Sequence, residues 1–142
     1  MKDRPPVVVI GVIGNDIHVV GNRVLQICLE AAGFRTVNIG TNAMPGDFID
    51  AALEVDADAV LVGSLNGEAP HWCGGLRPGL AAVDKGDAWI YLGGNVVTGQ
   101  WDPDRVRVHF EAMGVDRVFY GATDFDALVA QLESDIRNGR SR

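Results

Sequence analysis

Two spacings of apolar residues take turns along this chain. Residues 7–13, Val-Val-Val-Ile-Gly-Val-Ile, are an unbroken apolar run, the pattern of a strand buried on both faces. Residues 18–32 then place Val20, Val24, Ile27, Leu29 and Ala31 at roughly helical spacing, with Gly33 as the C-cap. A second short strand is read over 35–39, ending at Gly40. Helical spacing returns over 45–56, with Phe48, Ile49, Ala52 and Leu53 on one face, and a third strand follows over 58–63. A helix through about 72–85 must hold Pro78 in its first turns or kink there. The fourth strand, 88–92, runs into Gly93-Gly94. Asp102 as N-cap and Pro103 at the first position open a helix over 103–113. A fifth strand over 115–120 and a last helix over 124–137, capped by Thr123 or Asp124, complete the series. The tail from Asn138 to Arg142 reads as frayed.

Five strands alternating with five helices specify an α/β fold with a parallel sheet covered on both faces. The expectation is one domain over 1–142, with its core at about 6–137. It is a flavodoxin-like (Rossmann-like), doubly wound five-stranded sheet of order 2-1-3-4-5, since right-handed crossovers leave few alternatives. In such a sheet ligands bind beyond the carboxyl ends of the strands, where the order reverses between the first strand and the third.

Composition narrows the partners. A net charge of −7, from 12 basic and 19 acidic residues, is a poor match to nucleic acid or to an anionic membrane surface. Two cysteines, Cys28 and Cys73, in a chain that is 47% hydrophobic make no disulfide framework. The longest apolar stretch is too short to span a bilayer and no signal peptide is visible, so a cytoplasmic protein is expected.

The expected carboxyl edge is rich in glycine and small polar residues. It holds Gly14-Asn15-Asp16-Ile17-His18-Val19-Val20-Gly21 after the first strand and Ser64-Leu65-Asn66-Gly67 after the third. It adds Gly93-Gly94-Asn95-Val96-Val97-Thr98-Gly99 after the fourth. Glycine lets a backbone approach a ligand closely, so the edge suits something large and polar. Asp16 and His18 are the chemical centre. On a loop, the carboxylate can accept from Nδ1 and leave Nε2 as a donor to a metal. In the alternative, Asp16 caps a helix and His18 is merely exposed. No second His, Cys or Glu lies nearby to complete a zinc site.

These motifs in order, Asp16-x-His18-x-x-Gly21, then Gly63-Ser64-Leu65, then Gly93-Gly94, resemble the three-part signature of the cobalamin-binding domain family. Within it the chain is similar to the small (sigma) subunits of glutamate mutase. That likeness runs through Gly11-Val12-Ile13-Gly14, Val20-Gly21-Asn22, Ala32-Gly33-Phe34, Val37-Asn38-Ile39-Gly40, Asp47-Phe48-Ile49, Gly93-Gly94-Asn95-x-Val97 and Met113-Gly114-x-Asp116-Arg117-Val118. It covers nearly the whole chain.

The resemblance implies adenosylcobalamin as cofactor, with His18 as the lower axial ligand of cobalt and Asp16 orienting it. It implies a nucleotide tail lying in a slot lined by Ser64 and Leu65, with room from Gly93 and Gly94 and with Asn95, Val96, Val97, Thr98 and Gly99 alongside. Asn15, Ile17, Val19, Gly21 and Gly63 complete the cofactor-binding set, and no further catalytic residue is expected in this chain. A large barrel subunit would bind L-glutamate at the interface, in a heterotetramer that interconverts glutamate and threo-3-methylaspartate. One departure stands out: Gly63 replaces the first serine of the family's Ser-Ser-Leu, so one hydroxyl is missing.

A receiver domain shares this fold but needs a phosphorylatable aspartate and a lysine where this chain has Gly63-Ser64 and Gly121-Ala122. A flavin carrier would want a phosphate-cradling loop in place of Asp16-Ile17-His18. The closest rival functions are a corrinoid carrier for methyl transfer and the cobalamin subunit of a related mutase. The His71-Trp72-Cys73 segment reads as a surface loop, Cys28 as a small core residue, and His109 as solvated. No Arg-rich pocket for a substrate carboxylate is evident beyond Arg77 and scattered surface arginines.

Overall fold

The computed structural model describes residues 4–13, 20–64, 73–94, 102–120 and 124–139. Its strands are β1 (Val7–Val12), β2 (Arg35–Asn38), β3 (Ala59–Ser64), β4 (Trp89–Gly94) and β5 (Arg117–Tyr120). Its helices are α1 (Val20–Ala31), α2 (Pro45–Val55), α3 (Leu76–Ala82), α4 (Pro103–Ala112) and α5 (Phe125–Asn138). The strands pair in parallel in the order β2-β1-β3-β4-β5, as expected.

The sheet separates two cores. Alternate residues Val9, Val60, Val62, Ile90 and Leu92 pack with Phe48 of α2, Leu76 and Leu80 of α3 and Phe110 of α4. The intervening set, Val8, Ile10, Ala59, Leu61 and Tyr91, packs with Leu29 of α1 and with Leu128, Val129 and Leu132 of α5. Every residue of β1 is buried, which explains its unbroken apolar run. Helices on both faces leave β1 no polar side to show.

Local chemistry sets the ends. Asp102 caps α4 by accepting from Arg105 N at 2.9 Å, and Asp124 caps α5 by accepting from Asp126 N and Ala127 N. Gly33 closes α1 at φ +95°, a value costly for any residue with a Cβ.

The expected helix over 72–85 is shorter and changes pitch. A tight turn at Cys73–Gly75 precedes α3, which ends at Ala82. Pro78 is the third residue of α3, where its missing N–H has no intrahelical acceptor to lose. The fifth strand begins at Arg117 rather than 115, because the chain is still closing α4. Gly114 has φ +92°, and Val115 N donates back to Phe110 O at 3.0 Å. The fourth strand runs two residues further than expected, taking Gly93 and Gly94 into the sheet.

Candidate functional site

α1 follows β1 on one face of the sheet and α3 follows β3 on the other, so the connections diverge between these neighbouring strands. That divergence opens a crevice at the carboxyl edge. Parallel register lines up Val12, Gly63, Gly93 and Phe119 as lateral neighbours. They lie on the α1/α5 face, directly above the row Ile10, Leu61, Tyr91 and Arg117.

The two glycines leave a notch at the centre of that row. Both are half-buried although they sit in interior strands. A Cβ added at Gly63 would meet only Gly11 O and Val12 Cγ2, both at 3.6 Å. One added at Gly93 would meet only the backbone oxygen and Cβ of Phe119, at 3.8 and 3.9 Å. Among the described residues nothing from α1 or α5 comes within 4 Å of either point. Gly11, on the opposite face, differs: its Cβ would lie 2.6 Å from Ile39 Cγ1 and 3.0 Å from Phe48 Cζ. Gly11 lets α2 pack closely, whereas at Gly63 and Gly93 no described side chain from the covering helices fills the space above the glycine.

Polar side chains tie each covering helix to the sheet below the notch. At the β2 margin, Asn38 Oδ1 accepts from Asn22 Nδ2 at 2.8 Å and from Gly40 N at 2.9 Å. Asn38 Nδ2 donates to Gln26 Oε1 at 3.0 Å, and Gln26 Nε2 donates to Thr36 Oγ1 at 3.3 Å. At the β5 margin, the buried Asp135 accepts from the Tyr91 hydroxyl, from Arg117 at 3.1 and 3.2 Å and from Gln131 at 3.0 Å. Burial pushes the Asp135 carboxyl up, but the donors Arg117, Tyr91 and Gln131 outweigh it and hold its pKa below the ordinary value. Burial, then the bond to Asp135, drives the Tyr91 phenol well above its usual range.

Of the residues expected from sequence, Gly63 pairs with Gly93 and Ser64 with Gly94 at the ends of β3 and β4, and Gly21 lies in the first turn of α1. Asn15, Asp16, Ile17, His18, Val19, Leu65, Asn95, Val96, Val97, Thr98 and Gly99 lie outside the described residues, as do His71, Trp72 and Trp101.

Arg77 is not positioned for a substrate. It donates to Gly86 O and Ala88 O at 2.6 and 2.7 Å, to Gly114 O, and to Asp116 at 2.8 Å, clasping α3 to the entrances of β4 and β5. Cys73 is buried in the core rather than on a surface loop, and burial pushes its thiol up to about 12. Cys28 is half-buried against the second core, as expected. His109 is half-buried, edge-on to Phe110 with ring centroids 5.1 Å apart, rather than fully solvated. Tyr91 and Asp135 went unnoticed in the sequence, and Asn38 entered only as part of the family likeness, with no role of its own. Their signal, a polar residue recurring on an otherwise apolar face, shows only once the faces are known.

A family model described as the B12 binding domain matches residues 6–129. The chain is 43% identical over 136 residues to the glutamate mutase sigma subunit of Halobacterium salinarum, covering 96% of this chain and 91% of that protein. It is 41% identical over 128 residues to the glutamate mutase sigma subunit of Carboxydothermus hydrogenoformans, covering 90% and 93%. Among solved structures, a cobalamin-binding protein from Desulfitobacterium hafniense superposes with a TM-score of 0.73 at 17% identity. This chain spans 59% of that one. The receiver domain of the putative response regulator NarL from Mycobacterium tuberculosis superposes at 0.65 with 11% identity, so the fold alone does not separate the two functions.

Proposed function

Because the chain belongs to the B12-binding domain family, we propose that it is the cobalamin-binding subunit of an adenosylcobalamin-dependent glutamate mutase, an isomerase that rearranges the carbon skeleton of L-glutamate to threo-3-methylaspartate. The observation that carries the site is the notch at Gly63 and Gly93. It lies at the switch point, between the sheet and the two helices of one face, where a long polar tail can lie against backbone without displacing a packed side chain. Bound there, adenosylcobalamin supplies radical chemistry from a homolysable cobalt–carbon bond.

The chain's own residues then have distinct tasks. His18 would hold the cobalt through Nε2. Asp16 would accept from Nδ1–H, which would fix the tautomer and make the imidazole a better donor. Gly63 and Gly93 would give the nucleotide tail its room, with Ser64 next in the chain as the one hydroxyl left from the family's pair. Arg77 is spent on carbonyls of its own fold, so the substrate carboxylates fall to a larger catalytic subunit. That subunit would be a barrel that binds glutamate, with the active site at its interface with this chain in a heterotetramer.

The test is electron paramagnetic resonance of cob(II)alamin bound to chain carrying heavy-nitrogen-labelled histidine. The splitting by the axial nitrogen changes with the isotope in the unsubstituted protein and is lost in His18→Ala. Asp16→Asn weakens cobalamin binding about 10- to 100-fold. Splitting indifferent to the label would remove His18 from the metal. Failure to restore glutamate rearrangement when mixed with a large subunit would remove the mutase assignment.

A further inference from the structure

We propose that Asn38 is the positioning residue for the axial histidine, holding both ends of the β1–α1 connection through one carboxamide. The inference rests on the cobalamin reading above. Asn38 sits on the edge strand β2, lateral to Ile10 and on the α1 face. Its amide reaches α1 at Asn22 and again one turn later at Gln26. In sequence, Asn22 lies just beyond the Asp16–His18 motif.

The other end of the same connection hangs on the same residue. Asn38 Oδ1 accepts from Gly40 N at 2.9 Å, and Gly40 O accepts from Val12 N at 2.9 Å. Gly40 holds φ +81°, so the backbone turns there in a conformation that a residue with a Cβ rarely adopts. Val12 O in turn accepts from Ala43 N at 3.0 Å. The last described residues before the connection and the first turns after it are thus braced to one side chain.

The described apolar side chains hold the middle and end of α1. Val24 and Ile27, at helical spacing in the sequence, are 40% and 59% exposed. Among the described side chains the apolar hold on α1 comes from Leu25, Cys28 and Leu29, in its middle and last turns. An asparagine is also a poor strand former, so the position gives up strand propensity in exchange for its hydrogen bonds.

The experiment titrates cob(II)alamin into the full chain and its variants Asn38→Leu, Asn38→Asp, Asn22→Ala and Asn22→Ala/Asn38→Leu. It reads affinity, the fraction carrying labelled-histidine splitting, and amide exchange in α1 and β4. Asn38→Leu and Asn22→Ala are each expected to weaken binding about tenfold and to lower the histidine-ligated fraction. The double variant should be no worse than Asn38→Leu alone, since Asn22 acts through its bond to Asn38, which that variant has already lost. Asn38→Asp keeps the acceptor roles toward Asn22 and Gly40 but loses the donor to Gln26, and should bind between the unsubstituted chain and Asn38→Leu. Exchange should quicken in α1 while β4 stays protected.

Variants that bind normally, losses that add in the double variant, or Asn38→Asp behaving like Asn38→Leu would each overturn the role. If Asn38→Leu does not fold, Asn22→Ala and Asn38→Asp carry the same comparison. An unsubstituted chain without labelled-histidine splitting would overturn the cobalamin reading and the Asn38 role together. Normal splitting with indifferent variants overturns the Asn38 role alone.

Discussion

Among the described residues, a methyl group added at Gly93 meets only Phe119, at ordinary van der Waals distances of 3.8 and 3.9 Å. Gly93→Val should therefore fold with stability changed by no more than about 1 kcal/mol. Its branches would project into the notch, where overpacking of about 1–3 kcal/mol corresponds to about 5- to 150-fold in cobalamin affinity. Gly11→Ala should do the reverse. A Cβ 2.6 Å from Ile39 Cγ1 forces repacking under α2 and costs about 1–3 kcal/mol of stability, with affinity per folded molecule retained. Denaturant melts beside cobalamin titrations separate the two effects. A Gly93→Val protein that binds normally would show that the tail does not lie there. Cys73 belongs to the same scale of argument: with its thiol pushed up to about 12 by burial, it stays protonated at neutral pH and fills space.

Among the elements, α5 carries the pH dependence. Asp135 has its pKa held down in the folded chain, so its contribution is present above the unfolded value of about 3.9 and is lost as pH falls through the lower folded value. The Tyr91 phenol is raised, so its contribution is intact below about pH 10 and declines as pH climbs toward the folded value. Asp135→Asn should cost about 1–3 kcal/mol at pH 7 and flatten the acid limb below about pH 4 relative to the unsubstituted chain. Urea melts across pH measure both; an acid limb unchanged by the substitution would clear Asp135 of the role.

The elements were also what the sequence made easiest to read. The apolar run of β1 and the Asp102-Pro103 start of α4 each state their own structure, because one local rule decides them. The strand order followed from the alternation of strands and helices. The break before α3 and the late start of β5 did not show, because turns at Cys73–Gly75 and Gly114 decide them. Of the site, Gly63 and Gly93 were legible as a motif, yet their pairing across β3 and β4 needed the register. Asn38 and Asp135 were hidden for a different reason. A polar residue in a strand or helix reads as solvent-facing until its partner, 16 residues away for Asn22 and 44 for Tyr91, is brought to it.

Taken whole, the molecule spends its two sheet edges differently. The amino edge is closed by charge: Arg4 bonds the backbone oxygen of Asp56 at 2.6 Å and lies 3.7 Å from Asp58, and Lys85 pairs with Asp56. At the carboxyl edge the described ends of β3 and β4 are small residues, Gly63-Ser64 and Gly93-Gly94.

The row Val12, Gly63, Gly93 and Phe119 takes one residue from each of four strands, the last from β5. No shorter stretch of chain contains it, so if cobalamin lies along this row as proposed, a molecule still climbing its folding barrier would offer it no complete seat until β5 has docked. The cofactor would then act as a brake on unfolding and not as a template for folding. At a hundred times its dissociation constant it should stabilise by about 2.7 kcal/mol, and nearly all of that should fall on the unfolding rate. Stopped-flow traces at rising cobalamin concentration should show unfolding slowing about a hundredfold while refolding keeps its pace. Refolding that quickens with cobalamin would mean that part of the seat forms before the sheet is complete.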